Sequence, residues 1–200
     1  MNPAPSDLNA RAAIRRWPGA PEDVVTLRNG ASVRLRPIRP DDEPRLMALC
    51  DRLSPRTLYE RFFSVRRLRP EEAHAFANVD YRQRMAVVAE VDTGHEPELV
   101  GVARYGRSDE ETTADVGLVV EDGWQGVGLG SILLEEILRA GEQRGITEFS
   151  ADVLTENRRA LTMLARHTAI TRRTANYGVA GIVFRRRVDS LAGATGQGDS

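Results

Sequence analysis

No lysine occurs in the 200-residue chain, and all 28 of its basic residues are arginine. A nucleotide-binding P-loop, which ends in Gly-Lys-Ser/Thr, is therefore excluded. Cys50 is the single cysteine, so neither an intrachain disulfide nor a cysteine-built metal cluster can form. It stands in the helical pattern Arg45 to Leu53, where a buried, inert thiol is the expected reading. The three histidines, His74, His95 and His167, show no ligand spacing and read as surface or packing residues; no metal is expected. No apolar run reaches the ~18 residues that a membrane span needs, and the first residues lack a basic-then-apolar leader pattern. A cytoplasmic protein is the expectation. A formal net charge of −1 offers no electrostatic footing for nucleic acid or an anionic membrane. With 41% hydrophobic and 28% charged residues, the composition is that of a soluble globular domain. The length suits one domain with tails.

What is present centres on Val119 to Ser131, VVEDGWQGVGLGS. A strand-like run, Ala114 to Val120, feeds this stretch, and a helix-like run, Ser131 to Arg144, leaves it. Between them stand Gln125, Gly126, Gly128 and Gly130. Alternate glycines remove Cβ atoms, so backbone N–H groups can converge on one small volume. At a helix N-terminus those groups and the helix dipole form an anion site, suited to a phosphate or pyrophosphate. A dinucleotide fingerprint, Gly-x-Gly-x-x-Gly, does not fit: the third glycine comes one residue early, and Ser131 stands in its place. The bland alternative is a glycine-rich turn before an ordinary helix.

The remaining pattern is mixed. Residues 1–22 and 188–200 have the composition of flexible segments, with one helical turn expected near Ala12 to Trp17. Val24 to Leu27 and Ser32 to Leu35 flank Asn29-Gly30, a hairpin signal. Pro37 and Pro40 end the second strand, and Asp41 or Asp42 can cap a helix that carries Pro44 in its first turn. Ser54-Pro55 starts a second helix, with Leu58, Phe62 and Phe63 spaced to face a core. Pro70 to Asn78 forms a third. Met85 to Val91, Leu99 to Tyr105 and Thr112 to Val120 read as an antiparallel meander. Ser131 to Arg144 buries Ile132, Leu133, Ile137 and Leu138 on one face and stops at Gly145. Phe149 to Val153 is a short strand and Asn157 to Arg166 an amphipathic helix. Thr171 to Tyr177 and Gly181 to Arg186 close the chain as a hairpin around Gly178. The fold class is α/β (α+β), a mixed and mostly antiparallel sheet flanked by helices.

Gln125-x-x-Gly128-x-Gly130 resembles the acetyl-CoA pyrophosphate loop of the GNAT N-acetyltransferases, Gln/Arg-x-x-Gly-x-Gly/Ala. Further stretches resemble one branch, the acetyltransferase domain of bacterial Pat-type protein lysine acetyltransferases. They include Arg34-Leu-Arg-Pro-Ile-Arg-Pro-Asp-Asp42, Leu53-Ser-Pro-Arg-Thr-Leu-Tyr-Glu-Arg-Phe-Phe63, Val79-Asp-Tyr-Arg82 and Val100-Gly-Val-Ala-Arg-Tyr105. The resemblance covers about Val24 to Arg187, so a GNAT domain over 23–187 is expected. It implies a GNAT fold in which the fourth and fifth family strands splay apart and admit acetyl-CoA.

The resemblance also implies roles. The backbone of Gln125, Gly126, Val127, Gly128, Leu129, Gly130 and Ser131 would hold the pyrophosphate. That of Leu118, Val119 and Val120 would align the pantetheine arm, with an N–H near Val119 stabilising the oxyanion. Asn157 matches a cofactor-contacting Asn, and is equally suited to a helix N-cap. The usual Glu base of the branch is Asp115 here, one methylene shorter, acting directly or through a water; the other reading is a solvated or salt-bridged strand residue. Glu121 and Asp122 are fallback bases that can also serve as caps. The general-acid Tyr of many relatives is Leu164 here, with Tyr177 a substitute that nothing in the sequence locates. The expected activity is transfer of acetyl from acetyl-CoA to a primary amine, a protein lysine in the first instance. The alternatives are acetylation of a small amine, or an acyl-CoA sensor that keeps the fold without the chemistry.

Overall fold

The computed structural model describes residues 23–107 and 112–187. The flexible segments expected at 1–22 and 188–200, and the turn expected near Ala12, lie outside them. Eight strands form one sheet: β1 (Asp23–Thr26), β2 (Ser32–Pro37), β3 (Arg84–Val91), β4 (Glu98–Gly106), β5 (Thr113–Val120), β6 (Glu148–Leu154), β7 (Thr168–Asn176) and β8 (Val179–Arg186). Their spatial order is β1-β2-β3-β4-β5-β6-β8-β7. All neighbours run antiparallel except β5 and β6. The helices are α1 (Glu43–Arg52), α2 (Pro55–Phe62), α3 (Pro70–Ala77), α4 (Leu129–Glu142) and α5 (Arg158–His167).

The sheet is covered on both faces, and the period of two along β3 shows it. Met85, Val87 and Ala89 enter one core, while Ala86 and Val88 enter the other. The first core takes Leu133, Leu134, Ile137 and Leu138 from α4, with Ile132 at its margin. The second takes Leu46, Leu49 and Cys50 from α1, Leu58 from α2 and Ala77 from α3. Burial raises the Cys50 thiol pKa to about 11, in keeping with an inert packing residue.

Three local expectations are corrected. Asp42 does not cap α1 with its side chain. It instead accepts two 2.7 Å hydrogen bonds from the buried Arg36 guanidinium and one from Arg39 N at 2.8 Å. Glu90 accepts from the same guanidinium at 2.9 and 2.7 Å, so β2, β3 and the entry to α1 share one buried ion cluster. Phe63 does not enter a core. It ends α2 in the left-handed region, φ 54°, and is exposed. Finally, α4 begins at Leu129 rather than Ser131, because Gly128 at φ 100° turns the chain straight into the helix.

Ser54 caps α2 as expected, accepting from Thr57 N at 3.2 Å, with Pro55 at the first helical position.

The feature that makes a site is the β5–β6 junction. These parallel strands pair only at Thr113–Glu148, Ala114–Phe149 and Asp115–Ser150. Beyond Asp115 they separate, leaving one side of β5 from Val116 to Val120 open. The splay implied by the resemblance is present, between the fifth and sixth strands of this chain.

Candidate active site

The gap between β5 and β6 widens into a cleft of about 520 Å³. Its walls come from the end of β5 (Leu118, Val119 and Val120), the loop and start of α4 (Gln125, Gly126, Gly128, Gly130 and Ser131), α2 and α5. The loop has the geometry of an anion cradle. Gly126 and Gly128 take φ 81° and 100°, conformations that L side chains rarely adopt. The first amide past the turn with a backbone acceptor is Ile132, donating to Gly128 O at 3.2 Å. The amides before it belong to the open N-terminus of a 14-residue helix, where an anion is favoured. Leu129 is fully buried and Val127 packs against the first core, so either could contribute only its backbone.

Gln125 lines the cleft, and its side chain braces the walls. Its Nε2 donates to Val120 O at 2.9 Å and to Thr57 Oγ1 at 3.2 Å, while Arg159 Nη1 donates to its Oε1. Asn157 serves as the α5 N-cap, accepting from Ala160 N at 3.0 Å, and also lines the cleft. Arg28, at the β1–β2 turn, was not anticipated. Its N–H donates to Val127 O at 3.2 Å, and its side chain lies beside Gly128. With Arg158, Arg159 and Arg166 it makes the cleft basic.

Asp115 sits on the last rung before the splay. Burial raises its pKa, Arg61 pulls it back, Asp152 raises it again, and Ser150 and Arg104 lower it; the net direction is upward. Ser150 Oγ donates to it at 3.5 Å. A carboxylate whose pKa is raised is a better proton acceptor, which suits a general base.

The structure does not bring Glu121 to the cleft. Its two oxygens each accept from the Arg52 guanidinium at 3.1 Å. Asp122 is tied to the start of α2, accepting from Ser54 N at 2.9 Å, Ser54 Oγ at 2.7 Å and Thr57 Oγ1 at 2.8 Å.

Leu164 is 4% exposed in the first core. Tyr177 is 98% exposed, in the turn between β7 and β8. Tyr81 and Tyr105 donate their hydroxyls to backbone oxygens of Ile38 and Arg82, and Tyr59 is exposed on α2. None of the four tyrosines lines the cleft. The cleft-lining positions of α5 include Arg159, Thr162, Met163, Arg166 and His167. His167, read from sequence as a surface or packing residue, thus lines the cleft three residues from position 164. The spacing 159, 163, 166 along an amphipathic helix is the signal that could have found this face.

A scan against family models matches residues 53–168 to the Acetyltransferase (GNAT) family. The chain belongs to the GNAT acetyltransferase family. Over 131 residues it is 31% identical to Acetyltransferase PA5475 of Pseudomonas aeruginosa, covering 64% of this chain and 70% of that protein. Over 134 residues it is 33% identical to Acetyltransferase Pat of Mycolicibacterium smegmatis, covering 66% of this chain but only 40% of that longer protein. Among solved structures, the GNAT domain of S. lividans PAT superposes with a TM-score of 0.75 at 30% identity, over 85% of this chain and 99% of that one. The chain is accordingly an acetyl-CoA-dependent N-acetyltransferase.

Among the described residues no group of three or more His, Cys, Asp or Glu side chains could hold a metal, and no helix is long and apolar enough to cross a membrane.

Proposed function

We propose that residues 23–187 form an acetyltransferase domain that transfers acetyl from acetyl-CoA to a primary amine, a protein lysine as the first acceptor class, in the cytoplasm. The supporting observation is the placement of two groups along one opening in the sheet. The glycine-rich start of α4 lines the cleft, and Asp115, outside that lining, lies where β5 and β6 part. The β5 rise of about 3.3 Å per residue sets Asp115 about 16 Å from Val120. That distance suits a phosphate held at one end and an extended pantetheine-length arm reaching toward the base. The cradle of Gly126, Gly128 and Gly130, the nearby arginines and the cleft volume all fit that donor. The thioester carbon supplies the electrophile when the donor is bound.

In this reading the residues act in sequence. The backbone of Leu118, Val119 and Val120, free of β6, holds the donor arm. Asp115 takes a proton from the acceptor ammonium, because the lone pair that attacks is absent until that proton leaves. A backbone N–H near Val119 faces the developing oxyanion. Thiolate departs without a tyrosine; a thiol pKa of ~8.5 makes it a fair leaving group.

Gly128→Val tests the cradle. A branched side chain at φ 100° is strained, and its Cβ would lie 3.7 Å from Arg28 Nε, in the space that an approaching phosphate would need. The expected result is at least a tenfold loss of acetyl-CoA affinity by calorimetry, in a variant that still melts cooperatively. A folded variant binding as tightly as wild type would remove the loop from the site.

The acceptor class is tested by acetyl-CoA turnover with intact proteins and lysine peptides against small amines. The sequence simplifies the readout: with no lysine in the chain, mass spectrometry after long incubation should find no internal amide-linked acetyl group, once labile esters have been hydrolysed. Internal amide acetylation would refute this.

A further inference from the structure

Among the described residues, two arginines beside the cleft lack the direct carboxylate partners that the buried Arg36 has. Arg61, in the last turn of α2, lies with its guanidinium against β5 at Gly117. A Cβ there would stand 2.6 Å from Arg61 Cζ, so the glycine makes the room. Arg104 is opposite Gly117 in the β4–β5 register. Each guanidinium is seated on a ring, Arg61 Cζ 4.9 Å from the centroid of Phe62 and Arg104 Cζ 3.9 Å from that of Phe76. Both border a small cavity walled by Ile38, Leu49, Leu68 and Val102, and Arg61 also faces the main cleft. Among the described residues neither makes an ion pair or a hydrogen bond to a carboxylate. The fully buried Arg36, by contrast, is held by Asp42 and Glu90 at 2.7 Å each.

Partly burying a guanidinium with no carboxylate in direct contact is costly; Asp115 acts on both only at a distance, and ring stacking offsets only a part. The cost shows in the titration. Burial, then Arg61 and Arg84, bring the Arg104 pKa down to about 10, and burial lowers that of Arg61. Asp115 lies two residues from Gly117 on the same face of β5, about 6.6 Å along the strand. The neighbourhood holds two guanidiniums at the level of Gly117 and the Asp115 carboxylate at the next, with Asp152, whose register on β6 matches Gly117, near enough to raise the Asp115 pKa. A lone ammonium gains little there, because the guanidiniums oppose the attraction of Asp115. An acceptor with an amine at one end and a carboxylate ~6 Å away satisfies both levels.

We propose that Arg61, backed by Arg104, binds a carboxylate carried by the acceptor beside the amine that Asp115 deprotonates. This rests on the acetyltransferase reading and narrows its substrate class. The carboxylate can come from an acidic residue flanking a target lysine or from a small amino acid itself. No covalent step is added; the subsite orients the amine toward the thioester.

The test uses neutral twins of charged acceptors, at saturating acetyl-CoA, with free CoA as the readout. One pair is 5-aminovalerate and its amide; the other is an end-blocked Glu-Lys peptide and its Gln-Lys counterpart. The full chain is assayed as wild type and as Arg61→Met and Arg104→Met, made separately so that misfolding of one leaves the other. At least a tenfold higher kcat/KM for the charged member of one pair, reduced to a ratio near one in Arg61→Met, supports the subsite, and the pair that responds identifies the source. Equal twins in wild type, a preference that survives Arg61→Met, or no turnover of either pair by protein that binds acetyl-CoA overturns it. Failure to bind acetyl-CoA in calorimetry is a separate result, which refutes the acetyltransferase reading itself.

Discussion

Asp115→Asn is expected to lower kcat/KM at pH 7 by about 10²-fold, the low end of general-base catalysis, or about 2.7 kcal/mol of barrier. A lysine amine has a pKa of ~10.4, so only about one in 2,500 is neutral at pH 7, and the variant must wait for that fraction. As pH rises toward 10 the neutral amine becomes plentiful, and the gap between wild type and variant should close. Asp115→Glu, which restores the length usual in the branch, should keep activity or gain it. Stability supplies the control. The folded pKa of Asp115 is raised, by burial first; its contribution to stability is therefore full below the unfolded pKa and lost as pH rises through the folded one. At pH 7 the ionised carboxylate is a small burden, so Asp115→Asn should melt no lower than wild type. A variant of normal melting temperature that matches wild-type kcat/KM at every pH would show that the base lies elsewhere.

Asp42→Ala should have the largest effect on stability, about 3–5 kcal/mol. Asp42 and Arg36 are 0% and 1% exposed, and the substitution leaves the Arg36 guanidinium buried with Glu90 alone. Removing all three charges for apolar groups of like volume would cost far less, because the penalty lies in the unpaired charge. Burial opposes ionisation of Asp42, but the hydrogen bonds from Arg36 and from Arg39 N outweigh it and hold its pKa below the ordinary value. A depressed carboxylate gives stability that is present above the unfolded pKa, ~3.9, and is lost as pH falls through the folded one. Urea unfolding at pH 7 and pH 3 should therefore show the variant's deficit shrinking in acid. A deficit under 1 kcal/mol at pH 7 would mean that the cluster relaxes into water.

The two predictions concern residues of very different legibility. Gln125 to Ser131 was readable because its signals are local: a strand, alternate glycines and a helix in succession. Asp115 was singled out through the resemblance alone, as the position that matches the usual Glu of the branch. What lay beyond reach depends on long-range partners. Glu121 sits beside the loop in sequence, yet Arg52, 69 residues away, takes both its oxygens. Asp122 is held by Ser54, the cap of α2, 68 residues earlier. Asp42 has the residue type and position of a helix cap, but a buried guanidinium competes more strongly than backbone amides. Leu164 and His167 differ by the phase of α5, which sequence spacing gives only when one knows which face meets the sheet. Gly117 carried a hint: a glycine inside a strand marks a close approach by something. Here that is Arg61, and only the fold names it.

The three pairs between β5 and β6 have a mechanical meaning. The sheet is two blades, β1 to β5 and β6 to β8, riveted at Thr113–Glu148, Ala114–Phe149 and Asp115–Ser150. Past the rivets, the open edge of β5 presents peptide groups that need partners. An extended, amide-bearing donor arm laid along that edge would supply them, acting as a temporary ninth strand. In that reading donor binding would add to the stability of the folded chain, because a ligand that binds only the folded state stabilises it.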